Sequence, residues 1–161
     1  MMDDAVTIRP LRDEDIPALC ARIALHQDYH RALEPHWPPG TAVAADYFAY
    51  LQAECAEYAG QILLAVDGRT IAGFVCIVTN KRGAPDHPAR HAFVHDLFVA
   101  PEYRRRQVAT KLMEGAETLA TSHGVAEVRL AVLARNEGAR AFYEALGYRD
   151  YAHALTRDVR R

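Results

Sequence analysis

The sequence predicts a single mixed α/β domain: a mostly antiparallel sheet with one parallel pair, flanked by about four helices. Three observations carry that expectation. Gln61-Ile-Leu-Leu-Ala-Val66, then Asp67-Gly68, then Arg69 to Val78 reads as two apolar runs joined by a tight turn, the pattern of a β-hairpin. A helical-period pattern from Val108 to Ser122 lies between β-type runs at 91–99 and 126–133, and a helical crossover implies that those two strands run parallel. Half of the 161 residues are apolar and a quarter charged, enough for one globular core.

Taken in order, Val6-Thr-Ile-Arg-Pro10 is a short β run ended by proline. Asp13-Glu-Asp-Ile-Pro17 then sets acids and a proline where a helix start favours them, and that helix is expected to reach about His26. Tyr29 to Gly40, with the breaker Pro38-Pro39-Gly40, reads as a loop between two helices. Thr41 is the expected N-cap of a second helix reaching about Tyr58 and stopped at Gly60. Beyond the hairpin, Thr79 to Arg90 reads as a polar loop and His91 to Val99 as a strand, so strands two to four form an antiparallel meander. The helix at 108–122 carries Leu112, Ala116 and Leu119 at helical spacing and is closed by His123-Gly124. Ala126 to Leu133 alternates as a strand, and Glu137 to Leu146 is a helix stopped by Gly147. Tyr148 to Val159 is expected to be a terminal strand. No repeat, linker or low-complexity segment interrupts the chain, so the domain is expected to span 1–161.

Composition narrows the function classes. A formal charge of −2 gives no global basic field for nucleic acid or an anionic membrane. The apolar runs are far too short to span a bilayer, and Met1-Met-Asp-Asp lacks the basic start of a secretory signal. Cys20, Cys55 and Cys76 are odd in number and widely spaced, with no metal-type or redox pair, and read as thiols in a reducing compartment. The expected location is cytoplasmic. None of the eight histidines shows metal-ligand spacing, so no metal is expected.

The chemistry concentrates in His95-Asp-Leu-Phe-Val-Ala-Pro-Glu-Tyr-Arg-Arg-Arg-Gln-Val-Ala-Thr-Lys-Leu112. An apolar run ends at Val99, Ala100-Pro101-Glu102 breaks it, and Val108 opens a helix. Such a junction gathers free backbone N–H groups at the positive end of a helix dipole. Arg104, Arg105 and Arg106 add forked donors that match phosphate oxygens. A solvated basic loop would carry the same residues.

Two motifs separate these alternatives. Val99-Ala-Pro101-Glu-Tyr-Arg104-Arg-Arg-Gln107-Val-Ala109 resembles the acyl-CoA loop of the GNAT-type N-acetyltransferases, in which Arg/Gln-x-x-Gly-x-Gly/Ala follows a strand ending in Val-x-Pro. Gln107 stands where that family has glycine. Asn136-Glu-Gly-Ala-Arg-Ala-Phe-Tyr143-Glu-Ala-Leu-Gly147-Tyr148 resembles the family's second cofactor segment. The resemblance runs from about Val6 to Leu155.

It implies an acetyl-CoA N-acetyltransferase with a sheet splayed at its parallel pair, acting by direct attack in a ternary complex. By resemblance, the pyrophosphate meets the backbone of Arg104, Arg105, Arg106, Gln107, Val108, Ala109 and Thr110. Leu97, Phe98 and Val99 hold the pantetheine arm together with Asn136, Ala139 and Phe142. Tyr143 is the implied general acid for the CoA thiolate; a packed helix tyrosine is the alternative. For the base, His95 and Asp96 are both candidates, as is a water, and the two side chains are expected on opposite faces of their strand. Tyr29, His30 and Trp37 are candidates for the wall of the acceptor site, where rings could hold an amine by cation–π contact. The implied acceptor is a small-molecule or peptide amine; a non-catalytic acyl-CoA-binding module and an anion binder using the arginines are the alternatives. The resemblance leaves a homodimer open.

Overall fold

Strand order follows chain order: five strands form one sheet, β1 (Val6–Pro10), β2 (Gln61–Asp67), β3 (Thr70–Arg82), β4 (Arg90–Val99) and β5 (Val128–Leu130). All neighbours are antiparallel except β4 and β5, which run parallel. This computed structural model describes residues 6–160, so the Met1-Met-Asp-Asp start lies outside the described residues. The chain falls into two compact units, up to Ala131 and from Val132.

In the first unit, helices α1 (Ile16–Leu33) and α2 (Gly40–Glu57) cover one face of the sheet and α3 (Val108–Ser122) the other. Strand alternation explains the division. Leu64, Phe74, Cys76 and Phe98 pack with Leu19, Ile23, Phe48 and Leu51 of α1 and α2. Leu63, one residue from Leu64, instead reaches α3 at Gly115. Phe74, Leu19, Ile23, Leu51 and Leu64 are fully buried, and burial of each such side chain contributes roughly 1.5–3 kcal/mol. A bidentate ion pair ties β1 to the start of α1: Arg9 Nη1 and Nη2 lie 2.7 and 2.9 Å from the Asp15 carboxylate. That guanidinium holds the Asp15 carboxyl down at about 2.

Several boundaries differ from expectation. α1 does not stop at His26 but runs to Leu33, because 27–33 contains neither glycine nor proline and ends with His30 and Arg31 at the dipole's negative end. β3 continues to Arg82, shrinking the expected loop to 83–89; Thr79 and Asn80 donate their N–H groups to the carbonyl of Tyr58, and Lys81 and Arg82 resume pairing with β4. β5 keeps only three of the residues expected in its strand. Cys55 and Cys76, which sequence spacing does not pair, lie with their sulfurs 3.7 Å apart under α2.

The second unit contains α4 (Glu137–Ala145), after which Gly147 takes φ +91°. The expected strand at Tyr148–Val159 does not form among the described residues. Leu155 and Val159 are almost fully exposed, so the apolar positions of that pattern bury nothing that could hold them extended.

α1 and α2 meet at Gly40. A Cβ there would stand 1.9 Å from the Ala24 carbonyl oxygen, and the Gly40 N–H donates to Asp28 Oδ1 at 2.7 Å. Gly40→Ala is therefore expected to force the helices apart and to cost about 1–3 kcal/mol in chemical denaturation. Unchanged stability would mean that the contact yields freely.

Candidate active site

The β3–β4 ladder slips at His95. Cys76 stands opposite Asp96, but Ile77 stands opposite Val94, so β4 carries one extra residue. A bulge of this kind kinks its strand and re-aims side chains. Hence His95 and Asp96, expected on opposite faces, both reach α2: His95 meets Glu54 and Tyr50, and Asp96 meets Tyr47.

Asp96 is buried and both of its oxygens are engaged. Tyr47 donates its hydroxyl to Oδ2 at 2.7 Å, and Nε2 of His26 lies 3.1 Å from Oδ1. A carboxylate can only accept, so the imidazole donates. Burial pushes the Asp96 carboxyl up, but these bonds and the imidazole's charge outweigh it and leave the group below the usual carboxylate range. The His26 ring packs edgewise on Phe74 and against Phe98. One helical turn on, His30 lies 4.3 Å from it, centroid to centroid, and meets Trp37 at 5.7 Å and Tyr29 at 6.4 Å. Burial, reinforced by His26, lowers His30 to about 4, so its ring is neutral at pH 7. The three residues expected to wall the acceptor site thus come together, but Tyr29 and His30 do so from the last turns of α1 rather than from a loop.

His95 belongs to a second cluster. Its Nε2 is 2.9 Å from Glu54 Oε2, which is also 2.7 Å from Lys81 Nζ. A carboxylate can only accept, so the imidazole meets it with a protonated Nε2. The Lys81 ammonium holds the Glu54 carboxyl below its usual range. Burial lowers His95, and the charges of Glu54 and Asp96 partly offset that. Phe93 and Tyr50 meet the His95 ring edge-on, and Tyr50 stacks on Tyr47.

The bulge also decides which way the backbone of β4 faces. Ala92 donates its N–H to Glu127, on the β5 side, while Ala100 donates to Ala72 of β3. Regular alternation from Ala100 places Phe98 toward β3 and turns the N–H and C=O of Leu97 and Val99 to the β5 side. β5 pairs only with Ala92, Phe93 and Val94 and ends at Leu130, so this stretch of edge runs on past it.

That edge leads into the arginine loop. Arg104, Arg105, Arg106 and Gln107 are exposed, and Arg105 and Gln107 take left-handed φ of 61° and 58°. Gln107 is followed directly by the right-handed start of α3, an alternation that makes successive amides converge on one point. No side chain caps this helix end, so the amides of its first turn, Val108, Ala109 and Thr110 among them, have no partner within the helix. Arg104 donates Nε to the Val99 carbonyl at 3.2 Å and lies over the Tyr29 ring; Arg106 lies over the Tyr103 ring.

In the second unit, Asn136 caps α4: its Oδ1 accepts the Ala139 N–H at 3.1 Å. Tyr143 is half-buried, its ring between Phe142 at 5.3 Å and Tyr148 at 5.7 Å.

Sequence reasoning missed His26, Tyr47, Tyr50, Glu54 and Lys81. A signal was present: Tyr47, Tyr50 and Glu54 share one stripe of α2, as His26 and His30 share one of α1. Nothing in the sequence said that the stripes face the bulge. Among the described residues, no group of three His, Cys, Asp or Glu side chains could hold a metal ion, and no helix is long and apolar enough to cross a membrane.

Comparison with known proteins adds the family. The model of the acetyltransferase (GNAT) family matches residues 22–148. A thialysine N-epsilon-acetyltransferase of Bos taurus is 35% identical over 65 residues, 40% of this chain and 38% of that enzyme. The chain spans less than two thirds of the length of the curated relatives it matches. A GCN5-related N-acetyltransferase of Ralstonia eutropha JMP134 superposes with TM-score 0.72 at 20% identity, covering 95% of this chain and 98% of its own. AAC(6')-Iy, solved in complex with the bisubstrate analog CoA-S-monomethyl-acetylneamine, superposes with TM-score 0.69 at 20% identity, covering 97% and 99%. At that identity these two likenesses speak for the fold.

Two outcomes follow from the site's physics. An imidazole lowered from 6.5 favours its neutral form, so the stability drawn from His30 is complete above pH 6.5 and is lost as pH falls through about 4. His95, also lowered, acts in the same direction. The melting temperature should decline from pH 6.5 to 4, and His30→Gln should flatten that decline; a flat wild-type profile would contradict the burial argument. Gln107→Gly should raise stability by about 1 kcal/mol by removing a side chain from a left-handed position, measured by chemical denaturation. A loss would show that the Gln107 side chain contributes a contact of its own.

Proposed function

The chain belongs to the acetyltransferase (GNAT) family, and from that premise we propose that it transfers the acetyl group of acetyl-CoA to a primary amine by direct attack in a ternary complex. One observation carries this reading: the β4 edge at Leu97 and Val99 continues past the end of β5 and leads straight into the converging amides at the start of α3. A pantetheine arm has amides suited to a strand edge, and a pyrophosphate suits a helix N-terminus ringed by arginines. Acetyl-CoA, when bound, supplies an acetyl group activated as a thioester.

On this reading the backbone of Leu97 and Val99 holds the pantetheine, with Phe98 fixing the strand between them. The amides of the loop, together with Arg104, Arg105 and Arg106, take the phosphates. By the resemblance of the second cofactor segment, Asn136, Ala139, Phe142 and Tyr143 are assigned to binding the same cofactor. An N–H of the β4 edge donates to the thioester carbonyl as negative charge gathers there. Tyr143 gives its phenolic proton to the departing thiolate.

The proton on the incoming amine goes to His95. An alkylammonium near pKa 10 must lose it before the nitrogen can attack. His95 is neutral at pH 7 and free to accept, whereas Asp96 has both oxygens committed to His26 and Tyr47 and serves as an anchor. Tyr29, His30 and Trp37 offer aromatic faces to a cation, and an uncharged His30 does not repel one. The acceptor is a small-molecule or peptide amine, and the expected compartment is the cytoplasm. Thialysine, in the name of the bovine relative, is the first amine to try.

The test is free CoA thiol released from acetyl-CoA across a panel of amines, read beside the melting shift. At about a hundred times Kd, acetyl-CoA should stabilise the fold by roughly 2.7 kcal/mol. Tyr143→Phe should keep that shift and slow release by roughly ten- to a thousandfold. No shift at millimolar acetyl-CoA would sink the reading; a shift without release for any amine would favour a non-catalytic acyl-CoA-binding module.

A further inference from the structure

Glu54 lies on α2, far in sequence from both cofactor motifs, yet its carboxylate stands against His95. Its Oε2 is 2.9 Å from His95 Nε2, with the two side chains 13% and 9% exposed. The same Oε2 is 2.7 Å from Lys81 Nζ, so one carboxylate oxygen is shared between an ammonium and the ring. A carboxylate against Nε2 sets which ring nitrogen carries the proton and leaves the other able to accept one.

We propose that Glu54 is a positioning residue for acetyl transfer: held in turn by Lys81, its carboxylate orients the His95 ring and keeps it basic enough to take the amine's proton. The proposal rests on the reading of His95 as the base. A carboxylate beside Nε2 favours the tautomer with its proton there, which leaves the lone pair on Nδ1. That lone pair accepts the proton from the ammonium, the freed nitrogen pair attacks the acetyl carbon, and the imidazolium that forms is stabilised by the Glu54 charge.

The groups facing His95 come from each element around it. α2 supplies Glu54 and Tyr50, β3 supplies Lys81, and β4 supplies Phe93 and Asp96. Glu54 and Asp96 favour the charged ring, while Lys81 and burial oppose it. Neutralising Glu54 and neutralising Lys81 must therefore move His95 in opposite directions. The ring titration reads the charge of these neighbours, and the acid limb of the rate profile reads whether that charge reaches the transfer step.

Two measurements on the full chain test this. The first is the titration of the His95 ring followed by nuclear magnetic resonance, which needs no turnover. The second is the acid limb of the rate–pH profile with the best amine found. Glu54→Gln should lower both midpoints by roughly one unit or more and reduce the plateau rate by about tenfold. Lys81→Met, at a side chain 25% exposed and so tolerant of change, should raise both. Glu54→Asp, which keeps the charge, should restore most of the shift. If the ring midpoint stays put in Glu54→Gln, or moves the same way in Lys81→Met, the proposal is overturned whatever the base is. Should the ring move as stated while the acid limb does not, His95 is not the base, and the role of Glu54 in transfer falls with that reading. Where Glu54→Gln fails to fold, the Lys81→Met and Glu54→Asp pair still decides the sign.

Discussion

One extra residue in β4 sets up the rest of the site. Without the slip at His95, strict alternation from Ala92 would turn the N–H groups of Leu97 and Val99 toward β3 rather than to the β5 side. The same strict alternation would leave His95 and Asp96 on opposite faces. The bulge reverses both outcomes together: it brings two titratable side chains against α2 and frees an edge of backbone beyond β5. A bulge is also a kink, and β5 gives up pairing after Val94, immediately before it. A single irregularity thus links the position of two buried titratable side chains to the stretch of strand edge beyond β5.

Burying charge under two helices is costly, and the two clusters meet that cost differently. Asp96 is the deeper of the two carboxylates and is satisfied by directed bonds from Tyr47 and His26, which suits a fixed anchor. Glu54 is shallower and sits between the Lys81 ammonium and the His95 ring, one oxygen shared by two neighbours. His30 takes a third course and sheds its charge, since His26 and burial both disfavour an imidazolium there. The α1–α2 side therefore presents anchored acids, neutral imidazoles and exposed aromatic faces at Tyr29 and Tyr50.

How much of this the sequence disclosed depends on whether a feature is local. The hairpin, the helix from Val108 to Ser122 and the parallel β4–β5 pair follow from short-range patterns and appear as expected. The arginine loop was legible for the same reason. The end of α1 was misplaced because aromatic and histidine residues before Pro38-Pro39 resemble a loop, while helix propensity through Leu33 and the contact of His26 with His30 keep it helical. Tyr148 to Val159 reads as a terminal strand, but such a run forms a strand only where a neighbour accepts the ladder. Glu54 was invisible because its meaning lies in a register slip between two other strands. Periodicity says which residues share a helix face and is silent on what that face meets.

The loop before α3 shows what the departure from the family's pattern does and does not change. Gln107 stands where the related loops have glycine, yet its backbone occupies the left-handed region that glycine would enter without strain. Arg105 does the same two residues earlier. The amide directions are therefore retained while the conformational freedom is not, at a cost of order 1–2 kcal/mol for each such residue. Strain of that size persists only where surroundings impose it, and the surroundings are identifiable. Pro101 and the Tyr103 hydroxyl on Asp67 fix the turn from below, Arg104 returns to the Val99 carbonyl, and Val108 is buried at the helix start. With both ends pinned, the intervening residues have little choice of path. Side chains at 105 and 107 then project from a backbone already aimed at one point, so a phosphate arriving there would meet arginine charge in addition to amides. Replacing glycine in such a loop trades backbone ease for charge density around a geometry the flanking elements have already decided.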